Sequence, residues 1–167
     1  MSLTHKVHPI YEATFLYLDP LLSFAGFAMS FAAPEMLIEG WTPKTIPNPA
    51  TSSGLPALPN PRAVHHPQYN VLIHELGGFF IVTMLAFGVL LRHTRDPFVW
   101  KLIVGSVGLI DFIVLGSTAV QYRDQGCLHP STWRWEDWFS VSITAYVGIV
   151  RLAYMLGLGV GKKEKTN

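Results

Sequence analysis

Charged and titratable side chains inside apolar segments are the residues of this sequence that could do chemistry. The apolar run VLIHELGGFFIVTMLAFGVLLR has His74 and Glu75 near its start. Three more apolar runs contain Asp19, Asp111 and Arg151. Charged side chains in membrane spans usually face the bundle interior, pair with one another or line a path. These five residues are therefore the candidates for a functional site.

Glu75 and Asp111 are predicted to act as an acid and a base. Counted from the predicted lumenal ends of their spans, the two carboxyls differ in depth by roughly 8 Å, so they could line one cavity. Apolar surroundings disfavour the carboxylate anion, so one carboxyl can donate a proton while a second, ionised one accepts it. His74 is the other candidate base, although it points about 100° away from Glu75 on a helix. The alternative is that Glu75 lies at the lipid interface or hydrogen-bonds the segment around Trp135.

Asp19 and Arg151 are predicted to form an ion pair that fixes helix packing. Each lies roughly 12 Å from the predicted cytosolic end of its span. Asp19, Ser23, Gly26 and Ser30 recur at helical spacing and place a small and polar stripe on the first span. Such stripes mark close helix packing in membranes, so we expect Asp19 to face the bundle interior. A role of this pair in chemistry is the alternative.

Four residues near the predicted lumenal ends of the spans are candidates for substrate binding: Asn70, Tyr122, Trp135 and Trp138. The faces of aromatic rings attract a nearby cation, which suits a reaction that passes through a carbocation. The alternative for the aromatic residues is the belt of Trp and Tyr that anchors helices at membrane interfaces.

Metal-binding patterns do not fit this sequence. The segment HELGG matches half of the zinc-protease pattern HExxH, but Gly78 stands where the second histidine is needed. The spacing of His65, His66, His74 and Glu75 matches no standard metal site. The sequence therefore predicts neither a metal nor another cofactor.

Four apolar stretches are long enough to cross a membrane, for which a helix needs about 20 residues. Of the 167 residues, 50% are hydrophobic and 14% are charged, against about 25% charged residues in a typical soluble domain. The sequence predicts an all-α, four-helix transmembrane bundle in a single integral membrane domain, residues 1–167, with a long Pro-rich loop between helices 1 and 2. The predicted spans are about 11–37, 70–91, 97–122 and 135–161.

The distribution of Lys and Arg favours cytosolic termini. Seven of these residues flank one side of the predicted bundle and four flank the other, and basic residues concentrate on the cytosolic side. We expect a multi-pass protein of the endoplasmic reticulum with both termini in the cytosol. The net charge of +1 argues against nucleic acid. The expected partners are membrane lipid, a lipophilic small molecule and further copies of the chain as a homo-oligomer.

The chain resembles a family of small four-span fungal membrane proteins, a domain of unknown function, in the motifs FLYLDP, YNVLIHE, LIDF and WEDWFSV…RLAYMLGLG. The likeness covers most of the chain outside the Pro-rich loop. The architecture is more loosely similar to fungal integral membrane terpene cyclases and to sterol-isomerase-like four-helix domains. In those proteins acidic side chains protonate an alkene or epoxide and a base removes a proton. This second resemblance implies that Glu75 or Asp111 is the acid.

The expected function is a cofactor-independent isomerase or terpene cyclase of secondary metabolism. Its substrate would be lipophilic and isoprenoid-derived, resembling a meroterpenoid. Glu75 or Asp111 would protonate the substrate, and the other carboxylate or His74 would remove a proton. Two alternatives stay open: a non-enzymatic scaffold or assembly subunit in the membrane, and a small transporter, which with four spans would need an oligomer.

Overall fold

The regular structure of the described residues is entirely helical, which confirms the predicted all-α class. A computed structural model describes residues 7–34, 37, 70–94, 96–124, 126 and 128–159. Four helices in this part of the chain are long and apolar enough to cross a membrane. The predicted Pro-rich loop, together with His65 and His66, lies outside the described residues.

The four helices are numbered in chain order. Helix α1 is Pro9–Ala32, α2 is Asn70–His93, α3 is Pro97–Asp124 and α4 is Trp135–Met155. A short 3-10 turn, Pro130–Thr132, precedes α4. Because the helices alternate in direction, α1 and α3 begin where α2 and α4 end; this side is called the Arg92 end, and the opposite side the Trp135 end.

Two helices end before the predicted spans do. Helix α1 ends at Ala32, and Ala33 leaves the helical conformation with φ −152° and ψ 62°. Helix α4 ends at Met155 because Gly157, with a φ of 77°, turns the chain. The Gly157 amide donates to the carbonyl of Tyr154, and the next amide donates to the carbonyl of residue 153, which is the Schellman arrangement that closes helices.

Close backbone approach occurs within two helix pairs, α1 with α2 and α3 with α4. Small residues make this possible: a Cβ at Gly77 would lie 2.9 Å from the Cβ of Ser30. A Cβ at Gly26 would lie 2.8 Å from the Phe80 ring. The polar stripe predicted on α1 is buried, and part of it forms this contact with α2.

A cluster of five aromatic side chains joins the two helix pairs towards the Arg92 end. This ring cluster consists of Tyr11, Phe15, Phe87, Trp100 and Tyr154, all buried. Tyr154 of α4 lies edge-on to both Tyr11 and Phe15 of α1, with ring centroids 5.3 and 5.6 Å apart. Each such pair contributes about 0.5–1.5 kcal/mol beyond its buried area, so the rings hold α1 against α4.

Helices α1 and α2 each contain one wide, π-helical turn, Thr14–Leu18 in α1 and Ala86–Leu90 in α2. In α1 this turn directly precedes Asp19 and Pro20. Because Pro20 has no N–H, it cannot bond the carbonyl one turn earlier, that of Leu16. Arg92 of α2 donates to this carbonyl instead, at 2.5 Å.

Candidate functional site

Three ionisable side chains from three helices meet inside the bundle. Arg151 of α4 donates from Nη2 to Oδ1 of Asp19 in α1, at 2.7 Å. Its Nη1 donates to Oδ2 of Asp111 in α3. Asp19, Arg151 and Asp111 are called the triplet from here on. A planar guanidinium can serve two carboxylates at once because its nitrogens point in different directions.

The triplet is buried, but its three members are not equally enclosed. The side chains of Asp19 and Arg151 are 3% and 4% exposed, whereas that of Asp111 is 12% exposed. Glycines let α3 and α4 come close at this point. A Cβ at Gly108 would lie 3.4 Å from the Arg151 side chain, and one at Gly148 would lie 3.5 Å from the Asp111 Cβ.

Helix α2 closes the fourth side of the triplet with an aromatic ring. The guanidinium carbon of Arg151 lies 5.4 Å from the centroid of the Phe87 ring, a distance at which a cation and a ring attract each other. Two polar atoms of the triplet are buried and have no hydrogen-bond partner in the described structure, Oδ2 of Asp19 and Nε of Arg151. One acceptor of Asp19 and one donor of Arg151 therefore lack a hydrogen bond within the described structure.

The triplet has a net charge of −1 when both of its carboxyls are ionised. Two carboxylates carry two negative charges, and the guanidinium carries one positive charge that it does not lose at ordinary pH. Isolated charge is costly away from water. A proton taken up by either carboxyl removes the imbalance, so this arrangement is suited to taking up and giving back a proton.

Asp19 and Arg151 make the contact predicted from their matched depths. The structure brings Asp111 to the same guanidinium and does not bring it to Glu75. Glu75 is exposed and lies twelve residues before Phe87, or roughly 18 Å along a helix. The predicted cavity between Glu75 and Asp111 therefore has no counterpart in the described contacts.

The other predicted residues of α2 lie near its Trp135 end. His74 is exposed and stacks on the ring of Phe31 in α1, with centroids 4.6 Å apart and an angle of 12° between the planes. Asn70, at the start of α2, is half-buried and its Oδ1 has no partner in the described structure. Both residues lie more than three helical turns before Phe87, the α2 residue that contacts Arg151.

Two of the three predicted aromatic residues, Tyr122 and Trp138, contact the ring of Trp133, and Trp138 does so with centroids 4.9 Å apart. Tyr122 is buried and packs edge-on against Trp133, with centroids 5.2 Å apart. Its hydroxyl also hydrogen-bonds Asp137. Trp135 is 74% exposed and Trp138 48%, as residues of an interfacial belt would be.

Two contacts were not predicted from the sequence. One joins Asp111 to Arg151, although Gly108 and Gly148 each stand three residues before one of these charges and mark the close approach. The other joins Arg134 to Asp137 at the start of α4, with Nη2 and Oδ1 at 2.9 Å. In the described residues no three His, Cys, Asp or Glu side chains are grouped as they would be around a metal.

Comparison with protein families identifies a relationship over most of the chain. The model of a domain of unknown function, DUF7704, matches residues 4–161. The chain belongs to this family. No curated protein and no solved structure matches it.

The residues that build the triplet of this DUF7704 chain all lie within the matched region. The same region includes Glu75 and the tryptophans at the Trp135 end. The family description gives no activity, so the chemistry of the triplet is the starting point for a function.

Proposed function

We propose that the protein is a membrane-embedded acid/base isomerase or cyclase and that the triplet is its proton-transfer centre. The observation that supports this proposal is the triplet itself, in which two buried carboxylates share one guanidinium. Surplus negative charge among apolar helices favours a bound proton, which a substrate can then receive. This proposal replaces the pair of Glu75 and Asp111 with the pair of Asp19 and Asp111.

Asp111 is the member of the triplet proposed to meet the substrate. Its side chain keeps more exposure than those of Asp19 and Arg151. The three residues that follow it in α3, Phe112, Ile113 and Val114, are exposed. Consecutive side chains of a helix point about 100° apart, so these three span more than half of the circumference of α3 and packed neighbours cover only the remaining side. Lipophilic molecules can therefore approach α3 from the bilayer near Asp111.

The proposed reaction moves protons and leaves the substrate's composition unchanged. The protonated triplet gives its proton to one carbon of a C=C bond, and the other carbon becomes a cation. A cyclase would then form a carbon–carbon bond to this cation. Loss of a proton from an adjacent carbon to the Asp111 carboxylate restores a C=C bond and recharges the triplet. An isoprenoid-derived substrate supplies both the alkene and the lipophilic character.

A second candidate function is that of a non-enzymatic assembly subunit. It is favoured by the direct contacts of Arg151 with both carboxylates, which tie α1, α3 and α4 together without any ligand. In this case the triplet specifies packing, as buried ion pairs do in some proteins.

Metabolite profiling of a deletion strain tests the proposed function. Extracts are separated by chromatography and compared with the parent strain by high-resolution mass spectrometry. We expect one lipophilic compound to disappear and an isomer of identical mass to accumulate. An unchanged profile would contradict the enzyme and favour the assembly subunit, and a change only in secreted amounts would indicate the small transporter.

A further inference from the structure

The triplet has a consequence for the resting protein that does not involve turnover. We infer that the folded protein binds one proton at the triplet at neutral pH, so that one of its two carboxyls is uncharged. The inference rests on the proposed function only in that the same three residues are involved. Its test reads the proton directly and uses no substrate.

The hydrogen bonds of Asp19 support a neutral carboxyl. Its Oδ1 accepts from Arg151, but its Oδ2 is buried without a partner in the described structure. A buried carboxylate needs donors on both oxygens to offset the loss of water. Asp111 likewise accepts one hydrogen bond from Arg151. One guanidinium thus supplies one donor to each of two acids, which is too little to keep both ionised.

A second buried acid of the same chain provides the contrast. Asp137 is also 3% exposed, but it receives several hydrogen bonds from one arginine. It accepts from the backbone amide, Nε and Nη2 of Arg134, and the hydroxyl of Tyr122 bonds it too. Both oxygens of Asp137 thus accept hydrogen bonds from a cationic side chain, which favours the ionised carboxylate.

The helices around the triplet supply no further compensating charge in the described residues. Helix α2 faces it with the ring of Phe87. Arg92 is exposed and donates to a backbone carbonyl of α1. Lys101 of α3 is exposed near the Arg92 end, and the nearby Tyr154 of α4 belongs to the ring cluster. A proton is therefore the simplest ligand that neutralises Asp19 and Asp111, and the two acids bind it as a coupled pair.

Infrared spectroscopy of the full-length protein in lipid nanodiscs at neutral pH tests this inference. The C=O stretch of a protonated carboxyl is separate from carboxylate and amide bands, and its intensity gives the number of protonated carboxyls. We expect one in the unchanged protein. Asp19→Asn and Asp111→Asn should each give none, because one carboxylate then pairs with one guanidinium. Arg151→Gln should give two, because both acids lose their partner.

Two exposed acids serve as controls. Glu12→Gln and Glu75→Gln should each leave one protonated carboxyl, since neither residue belongs to the triplet. Circular dichroism checks that each variant keeps its helices. If Arg151→Gln does not fold, the carboxyl bands of the two Asn variants are sufficient to test the inference.

Two results would overturn the inference. The first is the absence of a carboxyl band in the unchanged protein at neutral pH; a rise in melting temperature on adding sodium ions would then indicate that the ligand is a metal cation. The second is a band that persists in both Asn variants. A band that behaves as expected without any isomer in the deletion strain would keep the inference and reject the enzyme.

Discussion

Single side chains decide how the helices of this protein meet. Arg151 reaches Asp19 and Asp111 with different nitrogens, which the point charge of a lysine could not do with the same geometry. Arg92 acts on the backbone, since it bonds the Leu16 carbonyl and lies over the Tyr17 ring, with Cζ 4.9 Å from the centroid. These arginines bind α1 from two sides, next to its wide turn.

The bond from Arg92 to α1 predicts an energetic coupling with Pro20. Arg92→Ala removes the donor to the Leu16 carbonyl. Pro20→Ala supplies a backbone N–H that can bond the same carbonyl. We expect the cost of Arg92→Ala in the free energy of unfolding to fall by about 1 kcal/mol in the Pro20→Ala background, the typical net value of one hydrogen bond. Denaturant unfolding of the four proteins of this cycle in detergent micelles measures the coupling.

Arg123 provides the control for this cycle. It is exposed and bonds only the adjacent Asp124 among the ion pairs of the described residues. Arg123→Ala should therefore show no coupling with Pro20. Equal costs of Arg92→Ala with proline and with alanine at position 20 would contradict the role assigned to Arg92.

Part of the triplet could be predicted from residue depth. Asp19 and Arg151 have opposite charges at similar depths, which is enough to predict their contact. The depth of Asp111, measured from the predicted lumenal end of its span, predicts proximity to Glu75. The contact with Arg151 depends on the close packing of α3 and α4 at Gly108 and Gly148, which a count from a span end does not contain.

At the scale of helices, glycines set the spacing within each pair. Gly77 of α2 lies against α1, where an added Cβ would come within 2.9 Å of the Ser30 Cβ and 2.7 Å of the Phe31 ring. The ring can rotate, but the Cβ of Ser30 is fixed to its backbone. A methyl group at position 77 would therefore push the two helices apart.

Gly77→Ala and Gly78→Ala form a matched pair of variants. Alanine favours a helix over glycine by roughly 1 kcal/mol. Gly78→Ala should therefore not destabilise the protein, because its added Cβ has no neighbouring atom within 4 Å among the described residues. Gly77→Ala should destabilise it by about 1–3 kcal/mol, the usual cost of overpacking. Denaturant unfolding in micelles compares the two. Similar stability of both variants would contradict the close contact of α1 and α2.

The spans could be predicted from the sequence, but their internal geometry could not. Long apolar runs are enough to identify four membrane helices. The end of α4 depends on the left-handed conformation of Gly157. The apolar run LGLGVG contains three glycines, and the sequence does not indicate which of them ends the helix. The wide turn Ala86–Leu90 depends on hydrogen bonds between residues five apart and has no proline beside it to indicate a break.

At the scale of the whole molecule, four apolar helices make a multi-pass membrane protein the natural interpretation. The two helix pairs are joined at the Arg92 end by the ring cluster and deeper in the bundle by the triplet. Both junctions include α1 and α4. A protonation change at the triplet would alter one of these junctions, so the proposed proton transfer at Asp111 would also change helix packing.

Complementation of the deletion strain with single variants tests most directly whether the triplet performs chemistry. The strain receives the unchanged protein, Asp111→Asn or Glu12→Gln, and protein levels are matched by immunoblot. We predict that Glu12→Gln restores the missing compound, whereas Asp111→Asn lowers it at least about 100-fold, the lower range for loss of a general acid, although the folded protein is present. Full restoration by Asp111→Asn would contradict a catalytic triplet and leave Asp19, Arg151 and Asp111 as a structural contact.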